Sequence, residues 1–190
     1  MASQVGFSGK HLGLPEIATH HQDLESSLTL YFSVSSPSYL VRFAGRATSE
    51  VSDELSKRLR EVDMSSSLTV LASVEAAFRI DYLQRCYRKG KDPVSRAFRN
   101  IYKEKRQHAS LEEEIFEAWI NGFSGARSII GELRRAFRFR HWLAHGRYWT
   151  PKLGRHYDFE GVYALADLTL RNFEFTSLVG EPGGSDSRST

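Results

Sequence analysis

Between residues 65 and 88, Leu68, Leu71, Val74, Phe78, Tyr82 and Cys86 recur at spacings of three and four. That period puts all six on one stripe of an α-helix; a half-buried strand would alternate every second residue. A helix with one apolar stripe must bury it against other elements. The rest of the chain is therefore read for partners, and it supplies further helices.

Asp92-Pro93 is a helix start, an N-cap aspartate followed by proline at the first helical position, and the helix runs to about Lys105. Ser110 with Glu113 forms a capping box for a helix carrying Ile115, Phe116, Trp119 and Ile120. A turn at residues 121–125 leads into a helix from Ala126 to about His145, closed by Gly146. Thr150-Pro151 opens a loop through Gly154, and Asp158 caps a last helix bearing Val162, Leu165, Ala166, Thr169 and Phe173. Upstream, Leu40, Ala44, Val51, Leu55 and Leu59 predict a helix over 38–62. Residues 22–35 are ambiguous between strand and helix, and Ser36-Pro37 breaks them. The expected fold is all-α, a helical bundle of five to six helices. Residues 1–21 are expected to be a flexible N-terminal segment, 22–64 a helical extension, 65–175 the main helical domain, and 176–190 a disordered tail.

An apolar fraction of 41% in 190 residues supports one packed domain. The single cysteine, Cys86, allows no intramolecular disulfide and no cysteine-rich zinc site, which fits a reducing compartment. It falls on the stripe and is read as a small buried hydrophobe. No signal-peptide pattern or membrane-length apolar run occurs, so a soluble cytoplasmic protein is expected, with no membrane partner. There is no phosphate-binding glycine loop and no nucleophile elbow. The net charge is only +3, but the cations cluster in two blocks, Arg79–Arg106 and Arg127–Arg147. Such blocks are either solvated helix surface or, with interleaved aromatics, faces for phosphates and bases.

The helix opening at Ala126 raises the functional question. Advancing 100° per residue, Ile129, Ile130, Leu133, Ala136 and Phe137 fall within about 80° of one line. The same line continues through Arg140, His141 and Ala144, with His145 about 40° from His141. A core face that ends in a guanidinium and imidazoles is costly unless these groups have a partner or a task; the plain alternative is an exposed helix end. Glu75 interrupts the other stripe in the same way. It is read as a supporting anchor for Arg140, or for Arg79 near the site, against the alternative of a local pair with its i+4 neighbour Arg79. His20-His21 and His108 are expected to be surface loop residues.

The run Arg140-His141-Trp142-Leu143-Ala144-His145-Gly146 resembles the signature of HEPN domains: an arginine, a polar residue, three more residues, then a histidine near the end of a late helix. Val74-Glu75-Ala76-Ala77-Phe78-Arg79 looks like the acidic helix of prokaryotic HEPN branches, so the likeness covers roughly 65–175. The resemblance implies a HEPN-like homodimer that cleaves RNA without a metal, acting as a toxin or antiviral defence effector. Arg140 and His145 would be the motif pair, with His141 in the polar slot. A cognate antitoxin or regulatory protein is a further implied partner. In HEPN toxins paired with nucleotidyltransferase antitoxins a tyrosine follows the histidine by two residues. Here Arg147 stands there and the tyrosine is Tyr148, so modification of that tyrosine does not carry over.

Residue chemistry is compatible with this activity. Metal-independent cleavage uses the ribose 2′-hydroxyl as nucleophile. Histidine can move the protons, and arginine holds phosphate oxygens in its fork. The C-terminal helix dipole favours a cation at His145, which suits a proton donor or phosphate binder, leaving His141 as proton acceptor. Arg134, Arg138 and Arg147 are candidates to track an RNA backbone, and Trp142, Tyr148 or Trp149 to stack a base. No cofactor is expected. His141 and His145, at i and i+4, could share a zinc, but the HExxH glutamate, a nearby cysteine and a third histidine are missing. A non-catalytic module binding RNA, nucleotide or antitoxin, and a purely structural interaction protein, are the other readings.

Overall fold

The computed structural model describes residues 5–176, and every regular element among them is helical. Seven α-helices follow in order: α1 (Leu14–Phe32), α2 (Tyr39–Arg42), α3 (Thr48–Arg88), α4 (Pro93–Lys105), α5 (Phe116–Gly122), α6 (Ala126–Ala144) and α7 (Phe159–Asn172). No helix among them is long and apolar enough to cross a membrane. The tail beyond Thr176 lies outside the described residues.

The local stop and start signals act as read. The Asp92 side chain accepts the Ser95 N–H at 2.9 Å, and Asp158 accepts the Gly161 N–H at 2.9 Å. Ser110 caps Glu113 N–H at 3.3 Å, but the reciprocal acceptor for its own N–H is Glu114, at 2.7 Å. The reason is the wide first turn: residues 111–115 form a π-helix in which Ile115 N–H reaches the Ser110 carbonyl, shifting the returning carboxylate by one position. Gly122 closes α5 where a Cβ would meet Val94 Cγ2 at 2.5 Å, so glycine is what lets the end of α5 approach the start of α4.

The first half differs from expectation. Residues 14–32, split between a flexible segment and an ambiguous stretch, are one helix. Pro15 sits in its first turn, and the Glu16 carboxylate takes the Gly13 N–H at 2.7 Å. The predicted helix over 38–62 and its successor from 65 are replaced by the four-residue α2 and the 41-residue α3, so the expected division at 64/65 falls inside a helix. Ser65, Ser66 and Ser67 do not break α3. Ser65 donates back to Val62 carbonyl at 3.0 Å, Thr69 donates to Ser65 carbonyl at 3.0 Å, and Ser66 hydrogen-bonds His21 Nδ1 at 3.1 Å. His21 is not a surface loop residue: it lies in α1, 6% exposed, with its ring stacked 3.8 Å from Phe159. His20 and His108 are exposed.

Two compact units divide the described chain. One comprises residues 75–130 and 169–176 with 5–7, the other 8–74 and 131–168. The first has an aromatic core in which Phe78 meets Phe116, Phe173 and Phe175 at 4.9–5.2 Å and Tyr82 meets Phe98 at 5.1 Å. Cys86 is buried there as expected, and burial pushes its thiol up to about 12. The second packs Leu71, Val74, Leu133, Ala136, Val162 and Ala166, all essentially inaccessible. A satellite cluster of Phe32, Phe43 and Val51 joins α1, α2 and α3.

Candidate functional site at the end of helix α6

The candidate residues gather in the second unit, where α6 ends at Ala144 and the chain turns back. The turn is made by two consecutive left-handed residues, Gly146 (φ +79) and Arg147 (φ +59). Arg147 N–H reaches the Trp142 carbonyl at 3.1 Å, and the Trp142 indole donates to the Trp149 carbonyl at 2.7 Å. These two bonds fix the return strand of the turn on either side of Tyr148. A Cβ at Gly146 would meet no atom within 4 Å, so only the backbone opposes substitution. Gly146→Ala is therefore expected to lower stability by about 1 kcal/mol, read as a shift of the urea midpoint at unchanged slope.

The apolar line along α6 does not continue to its end. Leu133, Ala136 and Phe137 are buried as read, but Arg140 is half-buried and His141, Ala144 and His145 are exposed. The buried side of the last turns is instead marked by Phe139. Its ring stacks on Tyr157 at 5.3 Å and lies 6.0 Å from Trp142, so the chain arriving after the turn covers that flank. The two imidazoles are left open side by side, ring centres 4.2 Å apart, with Trp149 5.9 Å from His141. Arg140 lies next to them in sequence, its guanidinium carbon 6.0 Å from the Phe137 ring centre.

Among the proposed RNA contacts, Arg138 is exposed, Arg134 is half-buried, and Tyr148 is 84% exposed. Trp142 and Trp149 are half-buried and engaged in closing the turn. Arg147 is committed to α3. It donates to Glu61 at 2.8 Å and lies 3.1 Å from the Met64 sulfur, above a shallow pocket of 140 Å³ that includes Leu68 and Leu143. That bond holds the Glu61 carboxyl below the usual carboxylate range and the guanidinium above its own. Glu61 was not singled out in the sequence; it lies 86 residues from Arg147 with no local pattern linking them.

Glu75 and Arg79 form the local pair: Arg79 Nε donates to Glu75 Oε1 at 2.7 Å, and its Nη1 to the Ala109 carbonyl at 3.1 Å. Both belong to the first unit. Among the described residues no three His, Cys, Asp or Glu side chains come together in a way that could hold a metal ion. No family model, curated protein or solved structure matches the chain.

Proposed function

We propose that the protein is a metal-independent endoribonuclease, acting as a homodimer through a composite Arg/His site. The observation that carries the reading is the open pair of imidazoles, 4.2 Å apart at the end of α6, with Arg140 next to them in sequence. Two imidazoles at that spacing can divide acid and base work across one phosphodiester. His141 takes the proton of the ribose 2′-hydroxyl as its oxygen bonds to phosphorus. The bond from phosphorus to the 5′-oxygen breaks, and His145, at the cation-favouring end of the helix, returns a proton to that oxygen. Arg140 holds the non-bridging oxygens as charge builds on them. The products are a 2′,3′-cyclic phosphate and a free 5′-hydroxyl.

In a single chain both rings face solvent. A second copy related by two-fold symmetry would shield them and bring another Arg140, His141 and His145 to the same interface. Arg138 and the exposed Tyr148 flank the site as a phosphate contact and a stacking surface. The resemblance to HEPN ribonucleases supports the same reading and implies a toxin or antiviral defence effector with an antitoxin or regulatory protein as partner. The test is incubation of purified protein with RNA in EDTA. Wild type is expected to cut and leave cyclic phosphate ends, while Arg140→Ala and His145→Ala do not. Folded wild-type protein that binds RNA without cutting would support a non-catalytic binding module instead.

A further inference from the structure

A second basic surface lies in the first unit, away in sequence from the Arg140–His145 run. Helix α4 buries Val94, Ser95 and Phe98 and turns Arg96, Asn100 and Lys103 to solvent. At 100° per residue these three fall within about 60° of each other, so they form one stripe along the helix. Arg88, the last residue of α3, and Lys89 and Lys91 of the loop entering α4 add to it, all exposed.

What distinguishes this surface from an ordinary solvated helix is the scarcity of compensating acid. Between residues 85 and 106 the only carboxylates are Asp92 and Glu104. Asp92 is already spent, capping Ser95 and taking Arg85 at 3.1 Å. Lys105 reaches Glu114 at 4.0 Å and Arg106 lies over the Tyr102 ring. Lys103 binds only the neutral Asn100 amide, and Arg99 is tied to the Gly90 carbonyl, bracing the loop against the helix. Among the described residues, Lys89, Lys91 and Arg96 form no ion pair. Four cations on a braced loop and helix are thus left for an external anion.

We infer that Lys89, Lys91, Arg96 and Lys103 form a docking surface for the phosphodiester backbone of a nucleic acid strand. A row of cations suits a ligand with repeated charge better than a single phosphate. A lipid surface fits less well, because a membrane-surface helix needs its apolar face outward and α4 keeps Val94 and Phe98 inside. That the strand is RNA rests on the proposed function; the backbone contact itself does not. The surface would hold a strand without reading its sequence and raise the local concentration of substrate.

The test measures binding of a labelled single-stranded RNA over a salt series, in a His145→Ala background so that the RNA stays whole. The quadruple variant Lys89→Gln, Lys91→Gln, Arg96→Gln, Lys103→Gln is compared with a control, Lys10→Gln, Lys57→Gln, Lys152→Gln. These positions are all exposed, and circular dichroism checks that both variants fold. The quadruple variant is expected to bind on the order of tenfold or more weakly, with the slope of log K against log salt reduced by about 3. The control keeps the slope to within about 1. Equal binding of single-stranded DNA leaves the surface standing. An unchanged slope in the quadruple variant, or binding to phosphatidylserine vesicles and not to nucleic acid, overturns it. Cleavage plays no part in the readout, so a failed ribonuclease assay and a failed docking surface are told apart.

Discussion

Asp81→Ala is expected to cost the protein about 3–5 kcal/mol of folding stability and to lower Tm by roughly 6–20 °C. Asp81 is fully buried in the first unit and takes Arg85 Nε on both carboxylate oxygens, at 2.9 and 3.0 Å. It also accepts the Thr176 N–H at 2.8 Å and the Thr176 hydroxyl at 3.0 Å. The buried Arg85 spans the unit, reaching Asp92 at the start of α4 and the Glu174 carbonyl and lying 4.9 Å from the Trp119 ring centre. Removing the carboxylate leaves a buried guanidinium and an orphaned backbone N–H, and the segment after α7 loses its anchor. Burial holds the Asp81 carboxyl above the usual carboxylate range even against Arg85 and Thr176, so its partners do not fully repay desolvation. Replacing both charges, as Asp81→Leu with Arg85→Met, removes the uncompensated guanidinium and is therefore expected to recover part of the loss, while the Thr176 N–H stays without its acceptor. Urea unfolding of the three proteins decides the matter. A cost below about 1 kcal/mol for Asp81→Ala would place this network outside the stability of the fold.

The contrast between Asp92 and Asp81 shows what a sequence discloses. Asp92 acts on Ser95, three residues away and behind a proline, so its role is written locally. The same holds for Asp158 and Gly146. The partner of Asp81 at i+4 is equally local, but Thr176 is 95 residues distant and Glu174 is 89 from Arg85, beyond any periodicity. The stretch between residues 62 and 65 misleads for a related reason. The predicted helices stop at 62 and restart at 65, but Ser65 and Thr69 donate back along α3 and Ser66 meets His21 from 45 residues away, so one helix runs through. At the end of α6 the helix and its closing glycine are legible, and so is the run of Arg140, His141 and His145. Which side is covered is not, because it depends on Tyr157 returning to stack on Phe139. An extrapolated apolar line therefore puts His141 inside, and the folded chain puts it outside.

That outward placement sets the last expectation. On the proposed reading, Arg140→Ala lowers RNA cleavage by about 10²–10³, through loss of phosphate stabilisation, and His145→Ala by about 10²–10⁴, through loss of proton transfer. Neither variant should change Tm by more than a few degrees, since His145 is exposed and Arg140 half-buried. If each cleft draws its arginine from one copy and its histidine from the other, the two inactive proteins should complement. A dimer pairing Arg140→Ala with His145→Ala has one cleft missing both groups and one with both intact. Random pairing after co-refolding makes half the dimers mixed, and half the clefts in each are whole. The mixture should then recover about a quarter of wild-type cleavage. Two inactive proteins that stay inactive when co-refolded into dimers would put arginine and histidine of one chain in the same cleft. Full activity in either single variant would remove Arg140 or His145 from the chemistry and return the helix end to an ordinary exposed rim.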